Sequence, residues 1–249
     1  MTIAVIGGSG RIGFHLVKAL IEKGNKVAIG DIDLDSLYEK LSSIDYNEGD
    51  IFLKRLDINV EEEYISWIRD ATSQLGPIEG AVMCAYPKGD NYGNTLEKVS
   101  LSDFNNNVSI HLGSYFNFLK NTSNQMMKKG GSIVCVSSIY GHVAPKFEIY
   151  DNTDMTMPVE YAAAKSAINH LVKYFSKFYA GSKLRFNAVC PGGIMDNQPE
   201  KFKRAYLSKS LNKGLLDAED VIPFIEFLLE AKSRYINGQV LTIDDGFTL

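Results

Sequence analysis

Short runs of apolar, mostly β-branched residues alternate along this chain with longer segments whose apolar positions repeat with a helical period. The short runs predict strands at 2-6, 26-31, 51-56, 79-85, 131-137, 184-190 and 238-243. The longer segments predict helices near 11-23, 34-43, 60-75, 102-128, 158-180 and 217-231. This alternation indicates a parallel sheet with helices on both faces. The predicted fold class is therefore α/β, a single Rossmann-like doubly wound domain of about seven strands over 1-249.

Three stretches carry no clear period, namely 86-100, 139-157 and 191-215. The first two are long for loops inside a compact α/β domain, and such loops are usually functional or disordered. We treat 139-157 as an insertion loop between the fifth strand and the helix that follows it.

The composition of the chain argues against several classes of function. The chain has 249 residues, of which 45% are hydrophobic and 22% charged, and its formal net charge of -4 argues against a nucleic-acid surface. No stretch reaches transmembrane length, and the first strand begins too early for a secretory signal, so we expect no membrane partner and a cytoplasmic location. Cys84, Cys135 and Cys190 are widely spaced, which predicts reduced core thiols and no metal site.

A glycine-rich turn joins the first strand to the first helix, in the run Gly7-Gly8-Ser9-Gly10-Arg11-Ile12-Gly13. Glycines in this position allow a tight turn, a close approach of backbone amides to a pyrophosphate, and close packing of helix on sheet. The turn therefore predicts a dinucleotide site. Its predicted cofactor contacts are Gly7, Ser9, Gly10, Arg11, Ile12 and Gly13.

Asp31 ends the second strand, 18 residues beyond Gly13, close to the spacing expected for a carboxylate that binds the adenosine ribose. A carboxylate would repel a 2'-phosphate, so the spacing favours NAD over NADP, although Arg11 could pair with that phosphate. The alternative for Asp31 and Asp33 is capping of the next helix. Asp57, after the third strand, is expected to reach toward adenine.

Tyr161 and Lys165 lie four positions apart, about one helical turn, so both side chains project from one helix face. Pro158 and Glu160 are typical of a helix start and place Tyr161 just inside the helix. A free phenol titrates near 10, so Tyr161 can act as an acid or base near neutrality only beside positive charge, which Lys165 supplies. The alternative is an ordinary exposed helix pair.

Several blocks together resemble the short-chain dehydrogenase/reductase family. They are the glycine turn, Gly131-Ser132-Ile133-Val134-Cys135-Val136 leading into Ser137-Ser138, Tyr161-Ala162-Ala163-Ala164-Lys165, Asn187-Ala188-Val189-Cys190-Pro191-Gly192-Gly193-Ile194, and Asn237-Gly238-Gln239 with Asp245-Gly246. The resemblance extends over essentially the whole chain. It implies that Tyr161 moves the proton, that Lys165 also holds the nicotinamide ribose, and that Ser138 hydrogen-bonds the substrate oxygen. Further cofactor contacts are expected at Ile58, Ala85, Pro191, Gly192 and Ile194.

The chain departs from the family's pattern near the predicted site. His111 holds the position of the family's helix asparagine, whose main-chain carbonyl, as the resemblance implies, binds a water on the proton path. His111 could preserve that relay through its backbone and is a candidate catalytic residue, but we expect its ring to be a structural hydrogen-bonder. Tyr86 replaces a glycine that leaves room for the cofactor, so its side chain must turn away or cover the ribose.

The substrate side is defined less sharply. Aromatic residues mixed with carboxylates and amides in 142-157 suit a sugar, and the alternative is a surface loop packed on itself. As the resemblance implies, 191-215 is a substrate lid; its basic residues could attract an anionic substrate such as a sugar phosphate or could form a solvated helix face. The lid's basic residues are Lys201, Lys203, Arg204 and Lys209.

The sequence thus predicts an NAD-dependent oxidoreductase that interconverts a secondary alcohol and a ketone on a sugar or sugar derivative. The chain resembles family members associated with bacterial surface-sugar and flagellin-glycan biosynthesis. Alternatives are a dinucleotide-binding regulatory or scaffold protein without activity, and a sugar epimerase or dehydratase. The family resemblance also implies a homodimer or homotetramer that pairs through the 102-128 and 158-180 helices.

Overall fold

Seven parallel strands form one sheet in the computed structural model, which describes residues 1–249. The strands are β1 (Thr2–Ile6), β2 (Lys26–Asp31), β3 (Ile51–Arg55), β4 (Gly80–Met83), β5 (Gly131–Val136), β6 (Leu184–Pro191) and β7 (Val240–Ile243). The helices are α1 (Arg11–Glu22), α2 (Leu34–Leu41), α3 (Glu61–Leu75), α4 (Leu101–Met126), α5 (Val159–Phe178), α6 (Glu200–Leu207) and α7 (Ile222–Leu229).

The strand order is β3-β2-β1-β4-β5-β6-β7. The chain winds outward from β1 to β3, crosses back to β4 and then winds outward in the other direction. The order therefore reverses between β1 and β4, and a crevice opens there beyond the carboxyl ends of the strands. This topology confirms the predicted Rossmann-like fold class.

The central strands β1, β4 and β5 are buried on both faces, which explains their almost wholly apolar sequences. Alternate residues of β1 enter different cores: Ala4 and Ile6 pack with α3, α4 and α5, while Ile3 and Val5 pack with α1, α2 and α7. A strand covered on both sides has no polar face, so its sequence shows a continuous apolar run rather than alternation.

The predicted elements differ from the structure mainly after β6. Helix α6 was not predicted, because it is a short amphipathic helix of eight residues within the aperiodic 191-215 segment. The helix expected at 217-231 begins only at Ile222, since residues 218-220 form a 3₁₀ turn capped by Asp217 and Asp220. The 139-157 insertion contains two such turns, at Ile139–Gly141 and Phe147–Tyr150.

The three cysteines are free thiols, as expected from their spacing. None of the helices combines the length and the apolar character that crossing a membrane requires.

Candidate active site

A cleft of about 1200 Å³ lies at the carboxyl edge of the sheet, where the strand order reverses. It brings together most of the residues singled out from the sequence. Those that line it are Gly7, Ser9, Gly10, Arg11, Ile12, Asp31, Asp57, Ile58, Ala85, Ser138, Tyr161, Gly192 and Ile194. Four others, Gly13, His111, Lys165 and Pro191, do not line the cleft.

Gly13 shows why the first turn needs glycine. A Cβ atom on Gly13 would overlap the carbonyl oxygen of Gly7, because α1 starts directly against the end of β1. Gly7 itself has a φ of 85°, and a Cβ there would overlap the backbone of Ala85 on the neighbouring strand end. The turn therefore keeps backbone amides close to the cleft at a helix N-terminus, which is the arrangement that binds a pyrophosphate.

Asp31 and Asp33 have separate roles at the end of β2. Asp31 is buried, and its Oδ2 accepts a hydrogen bond from the Ser9 amide at 2.8 Å while its Oδ1 accepts one from the Asp33 amide at 3.0 Å. Asp33 caps α2, since its Oδ1 accepts from the Ser36 amide at 3.1 Å. Capping is thus the work of Asp33, and the Asp31 carboxylate is held beside the glycine turn.

Two cations flank the same turn. Arg11 forms an ion pair with Asp196, which lies in the segment after β6, so the pair joins the glycine turn to the far side of the cleft. Lys40, in the last turn of α2, donates to the Ser9 carbonyl oxygen at 2.5 Å. No sequence pattern predicted a role for Lys40, because its approach to Ser9 depends on how α2 packs.

Ser138, Tyr161 and Lys165 converge from two elements. Ser138 follows β5, Tyr161 lies in the first turn of α5, and Lys165 lies one turn further on. Burial raises the pKa of Tyr161 to about 12, while a hydrogen bond with Ser138 acts in the opposite direction. Burial also lowers the pKa of Lys165 to about 8, because the charged ammonium is removed from water.

The buried ammonium of Lys165 has only neutral neighbours. Its Nζ donates to the Val136 carbonyl oxygen at 3.0 Å and to the Tyr115 hydroxyl at 3.2 Å. It also lies 4.9, 5.6 and 5.8 Å from the ring centroids of Tyr115, Tyr161 and Tyr86. Aromatic faces at these distances stabilise a cation without neutralising it.

His111 is buried next to this lysine. Burial and the charge of Lys165 lower the pKa of His111 to about 2, so the imidazole is neutral. Its ring stacks on Tyr115 and meets Tyr86 edge-on at 4.9 Å, but its Nε2 has no hydrogen-bond partner. The structural hydrogen bond expected for the ring is therefore missing at Nε2. The backbone oxygen of His111 accepts from the Ser114 hydroxyl at 2.7 Å.

Tyrosines dominate the rest of the cleft, and the sequence did not single out most of them. Tyr86 meets Tyr161 edge-on at 5.4 Å, so it packs beside the phenol rather than turning away. The hydroxyls of Tyr140 and Tyr150 are 3.2 Å apart, and Tyr206 accepts from the Gly193 amide at 2.7 Å. Tyr86 was noted in the sequence as a replacement for glycine, whereas Tyr140, Tyr150 and Tyr206 belong to aperiodic segments, so no periodic pattern pointed to them.

The cleft is lined by only two basic residues, Arg11 and Lys88. Lys88 has no carboxylate within salt-bridge distance, and its Nζ lies 5.8 and 6.0 Å from the ring centroids of Tyr86 and Tyr92. The basic residues considered in the lid segment do not line the cleft. Two of them are paired, Lys203 with Glu200 and Lys209 with Glu148.

Glu160 is a buried carboxylate next to Tyr161 in the chain, and neither of its oxygens has a hydrogen-bond partner. Burial raises the pKa of Tyr92, and the nearby Tyr161 and Glu160 add to that rise. Glu160 drew attention in the sequence only as a helix-start residue.

Comparison with known proteins gives a consistent result. A family model described as enoyl-(acyl carrier protein) reductase matches residues 8–248. A post-translational flagellin modification protein A from Campylobacter coli is 33% identical over 99% of this chain and 98% of its own. A 3-oxoacyl-(acyl-carrier-protein) reductase from Thermotoga maritima is 27% identical over 98% of this chain and 96% of its own.

Among solved structures, a short-chain dehydrogenase from Leptospira borgpetersenii with bound NAD+ superposes with a TM-score of 0.87. It shares 28% sequence identity, and the match covers 100% of this chain and 92% of the other. With a family model and a one-third-identical relative that both span nearly its full length, the chain belongs to the short-chain dehydrogenase/reductase family of oxidoreductases.

Proposed function

We propose that this protein is an NAD-dependent oxidoreductase that interconverts a secondary alcohol and a ketone, with a sugar or sugar derivative as substrate. The observation that carries the proposal is the placement of the Tyr161 phenol in the cleft beside Ser138, with the charged Lys165 one helical turn behind it. The glycine turn lies in the same cleft, so proton transfer and dinucleotide binding would share one site.

The residues present suit a nicotinamide dinucleotide. The glycines let the N-terminus of α1 pack against the end of β1 with backbone amides free for a pyrophosphate, and the buried Asp31 carboxylate beside the turn would accept hydrogen bonds from ribose hydroxyls. The same carboxylate would repel the 2'-phosphate of NADP, which favours NAD. The NAD+ bound to the Leptospira relative supports this choice of cofactor class.

The proposed chemistry assigns each side chain one task. When bound, the nicotinamide supplies hydride transfer to or from the carbinol carbon. Ser138 would donate a hydrogen bond to the substrate oxygen, and Tyr161 would accept its proton during oxidation or return it during reduction. Lys165 would lower the pKa of Tyr161 from its buried value, because a nearby ammonium stabilises the phenolate.

The substrate side supports a hydroxylated ligand. Tyrosine faces can cover sugar C–H groups while their hydroxyls, such as those of Tyr140 and Tyr150, pair with ligand hydroxyls. Lys88 is a cation without a carboxylate partner at this end, which favours a substrate that carries a phosphate or carboxylate. The Campylobacter relative named for flagellin modification accords with the resemblance to enzymes of surface-sugar and flagellin-glycan biosynthesis.

The test is a screen for NAD+ reduction with a panel of sugar phosphates, sugar acids and unmodified sugars, followed by Tyr161→Phe on any substrate found. We expect Tyr161→Phe to lower kcat at least about a thousandfold because the proton acceptor is lost, while NADH binding stays within about twofold. Tyr179→Phe, at the far end of α5, is the matched control and should keep full activity. Undiminished turnover in Tyr161→Phe would refute the assigned role.

The same screen addresses the rival functions. A scaffold protein would bind NADH but give no NAD+ reduction with any panel member. An epimerase or dehydratase would consume a substrate without net change in nicotinamide absorbance, which product analysis would reveal.

We further propose that the chain is one dinucleotide-binding domain that forms a homodimer or homotetramer. The exposed aromatic residues Phe116 on α4 and Tyr174 and Phe178 on α5 support pairing through these helices. Light scattering of the purified protein tests the assembly, and a monomer across micromolar concentrations would contradict it.

A further inference from the structure

Tyr115 is a buried tyrosine that joins three parts of the proposed active site. It lies in α4 one turn after His111 and is completely inaccessible to solvent. Its hydroxyl donates to the Val136 carbonyl oxygen at 2.6 Å, at the end of β5 just before the segment that carries Ser138. The same hydroxyl lies 3.4 Å from the carbonyl oxygen of Ala85, beyond the end of β4.

The hydroxyl of Tyr115 also accepts a hydrogen bond from Lys165 Nζ at 3.2 Å, and Lys165 donates separately to Val136 at 3.0 Å. Ammonium, phenol and carbonyl thus form a closed triangle of hydrogen bonds. Lys165 pairs with no carboxylate, so these two oxygens are the acceptors that the protein provides for a fully buried charge. The ammonium has three N–H donors, and the triangle uses two of them.

We propose that Tyr115 is a positioning residue, which holds the Lys165 ammonium in its charged form at a fixed place behind Tyr161. The inference rests on the proposed function, in which the charge of Lys165 stabilises the Tyr161 phenolate. Tyr115 does not line the cleft, so it acts through Lys165 and not on the substrate.

A neutral phenol suits this task better than a carboxylate would. Burial raises the pKa of Tyr115 well above its usual value, so the hydroxyl stays protonated. It therefore orients the ammonium without cancelling its charge. A carboxylate in the same place would form an ion pair, which would weaken the electrostatic effect of Lys165 on Tyr161.

The test follows the ionisation of Tyr161 in the protein loaded with NAD+, by phenolate difference absorbance between about pH 6 and 10. The step that is missing in Tyr161→Phe belongs to Tyr161. In Tyr115→Phe, we expect its midpoint to rise by about one pH unit, because a lysine with one fewer acceptor is less firmly held and less charged. Phenylalanine keeps the aromatic ring at position 115, and the Val136 carbonyl oxygen still accepts a hydrogen bond from Lys165, so the fold should persist.

Tyr64→Phe is the matched control, since Tyr64 is also fully buried and its hydroxyl is bonded to Thr122 at 2.6 Å in the core under α3 and α4. It should reduce stability similarly and leave the midpoint unchanged.

The outcomes separate the two proposals. If Tyr161→Phe removes no ionisation step in this range, the proposed function of Tyr161 fails. If the step is present but Tyr115→Phe leaves its midpoint at the wild-type value, only the positioning role of Tyr115 is overturned.

Discussion

The two ends of the cleft are built in different ways. The cofactor end consists of strand termini and backbone: the glycine turn after β1, Asp31 at the end of β2, and Asp57 after β3. The substrate end consists of side chains from the 86-100 and 139-157 segments and from α6. Recognition at the first end depends on the path of the main chain, whereas recognition at the second depends on side chains that pack on one another.

The two ends also differ in how well their buried polar groups are satisfied. Both oxygens of Asp31 accept hydrogen bonds at the cofactor end. On the catalytic side, His111 Nε2 and both oxygens of Glu160 lack partners, and Lys165 carries a buried charge. Unsatisfied buried groups cost free energy, and such costs tend to concentrate at functional sites. These unpaired groups and the buried charge predict that the proposed catalytic end gives up stability.

Gly13→Ala should disrupt the glycine turn at the proposed cofactor end and cause the largest loss of NADH affinity. The added methyl group would overlap the Gly7 carbonyl oxygen, and because the obstacle is backbone, the glycine turn itself must shift. We expect NADH affinity to fall at least about a hundredfold, together with a loss of about 3 kcal/mol in the free energy of unfolding. Fluorescence titration with NADH and urea unfolding measure the two effects.

Gly113→Ala is the control for Gly13→Ala. No atom lies within 4 Å of a Cβ placed on this exposed helical glycine, so alanine should stabilise α4 by about 0.5–1 kcal/mol and leave NADH binding unchanged. Equal NADH affinity in the two variants would show that backbone closeness at the turn does not matter for binding.

Asp31→Ser should reverse the cofactor preference. Removing the carboxylate removes its repulsion of a 2'-phosphate, and Lys40, which contacts Ser9 nearby, remains as a cation. We expect the ratio of kcat/KM for NADP+ to that for NAD+ to rise about a hundredfold. Asp33→Ser keeps a residue able to cap α2 and should leave the ratio unchanged. A shift of equal size in both variants would remove Asp31 from the ribose site.

The contrast between the two ends also explains what could be predicted from sequence. The seven strands and the parallel α/β class could be predicted from apolar runs that alternate with helical periods, because strands buried on both faces leave that pattern directly. The order of the strands in the sheet comes from the structure. The glycine turn, Asp31, and the Tyr161 and Lys165 pair were found because fixed spacing along a strand or helix determines their relative positions.

The residues that escaped prediction depend on contacts between distant segments. Lys40 reaches Ser9 through the packing of α2, and Tyr115 reaches Lys165 across two helices, 50 positions apart in the chain. Tyr140 and Tyr150 meet inside an insertion that has no period. Helix α6 lies inside the 191-215 segment, whose sequence as a whole carries no clear period. Local patterns carry no information about such contacts.

Lys165→Met tests whether the catalytic end gives up stability. The pKa of Lys165 is about 8 in the folded protein against 10.5 when solvated, so the folded state binds fewer protons between these values. The burial cost is fully present below about pH 8 and disappears above about 10.5. We expect Lys165→Met to be inactive yet more stable by up to about 3 kcal/mol at pH 7, with the gain vanishing as pH rises through this window.

Urea unfolding at several pH values between 7 and 10.5 measures this difference. The exposed Lys173 on the same helix provides the control, because Lys173→Met should change stability little and with no dependence on pH in this range. A Lys165→Met protein that is less stable than wild type at pH 7 would show that the hydrogen bonds to Tyr115 and Val136 outweigh the cost of burying the charge.

Lys88→Met tests how the substrate end of the cleft recognises its ligand. We expect it to have the smallest effect on activity of the variants considered. Lys88 is exposed, so an ion pair with a substrate phosphate or carboxylate would be partly screened by water and worth about 1 kcal/mol, or about fivefold in KM. kcat should stay within about twofold, because Lys88 contacts the Tyr86 and Tyr92 rings and not the Tyr161 phenol that is proposed to move the proton. Lys201→Met, in the lid segment but outside the cleft, should change neither constant. If KM rises equally for charged and uncharged substrates, Lys88 serves by packing on Tyr86 and Tyr92, and the substrate end recognises shape rather than charge.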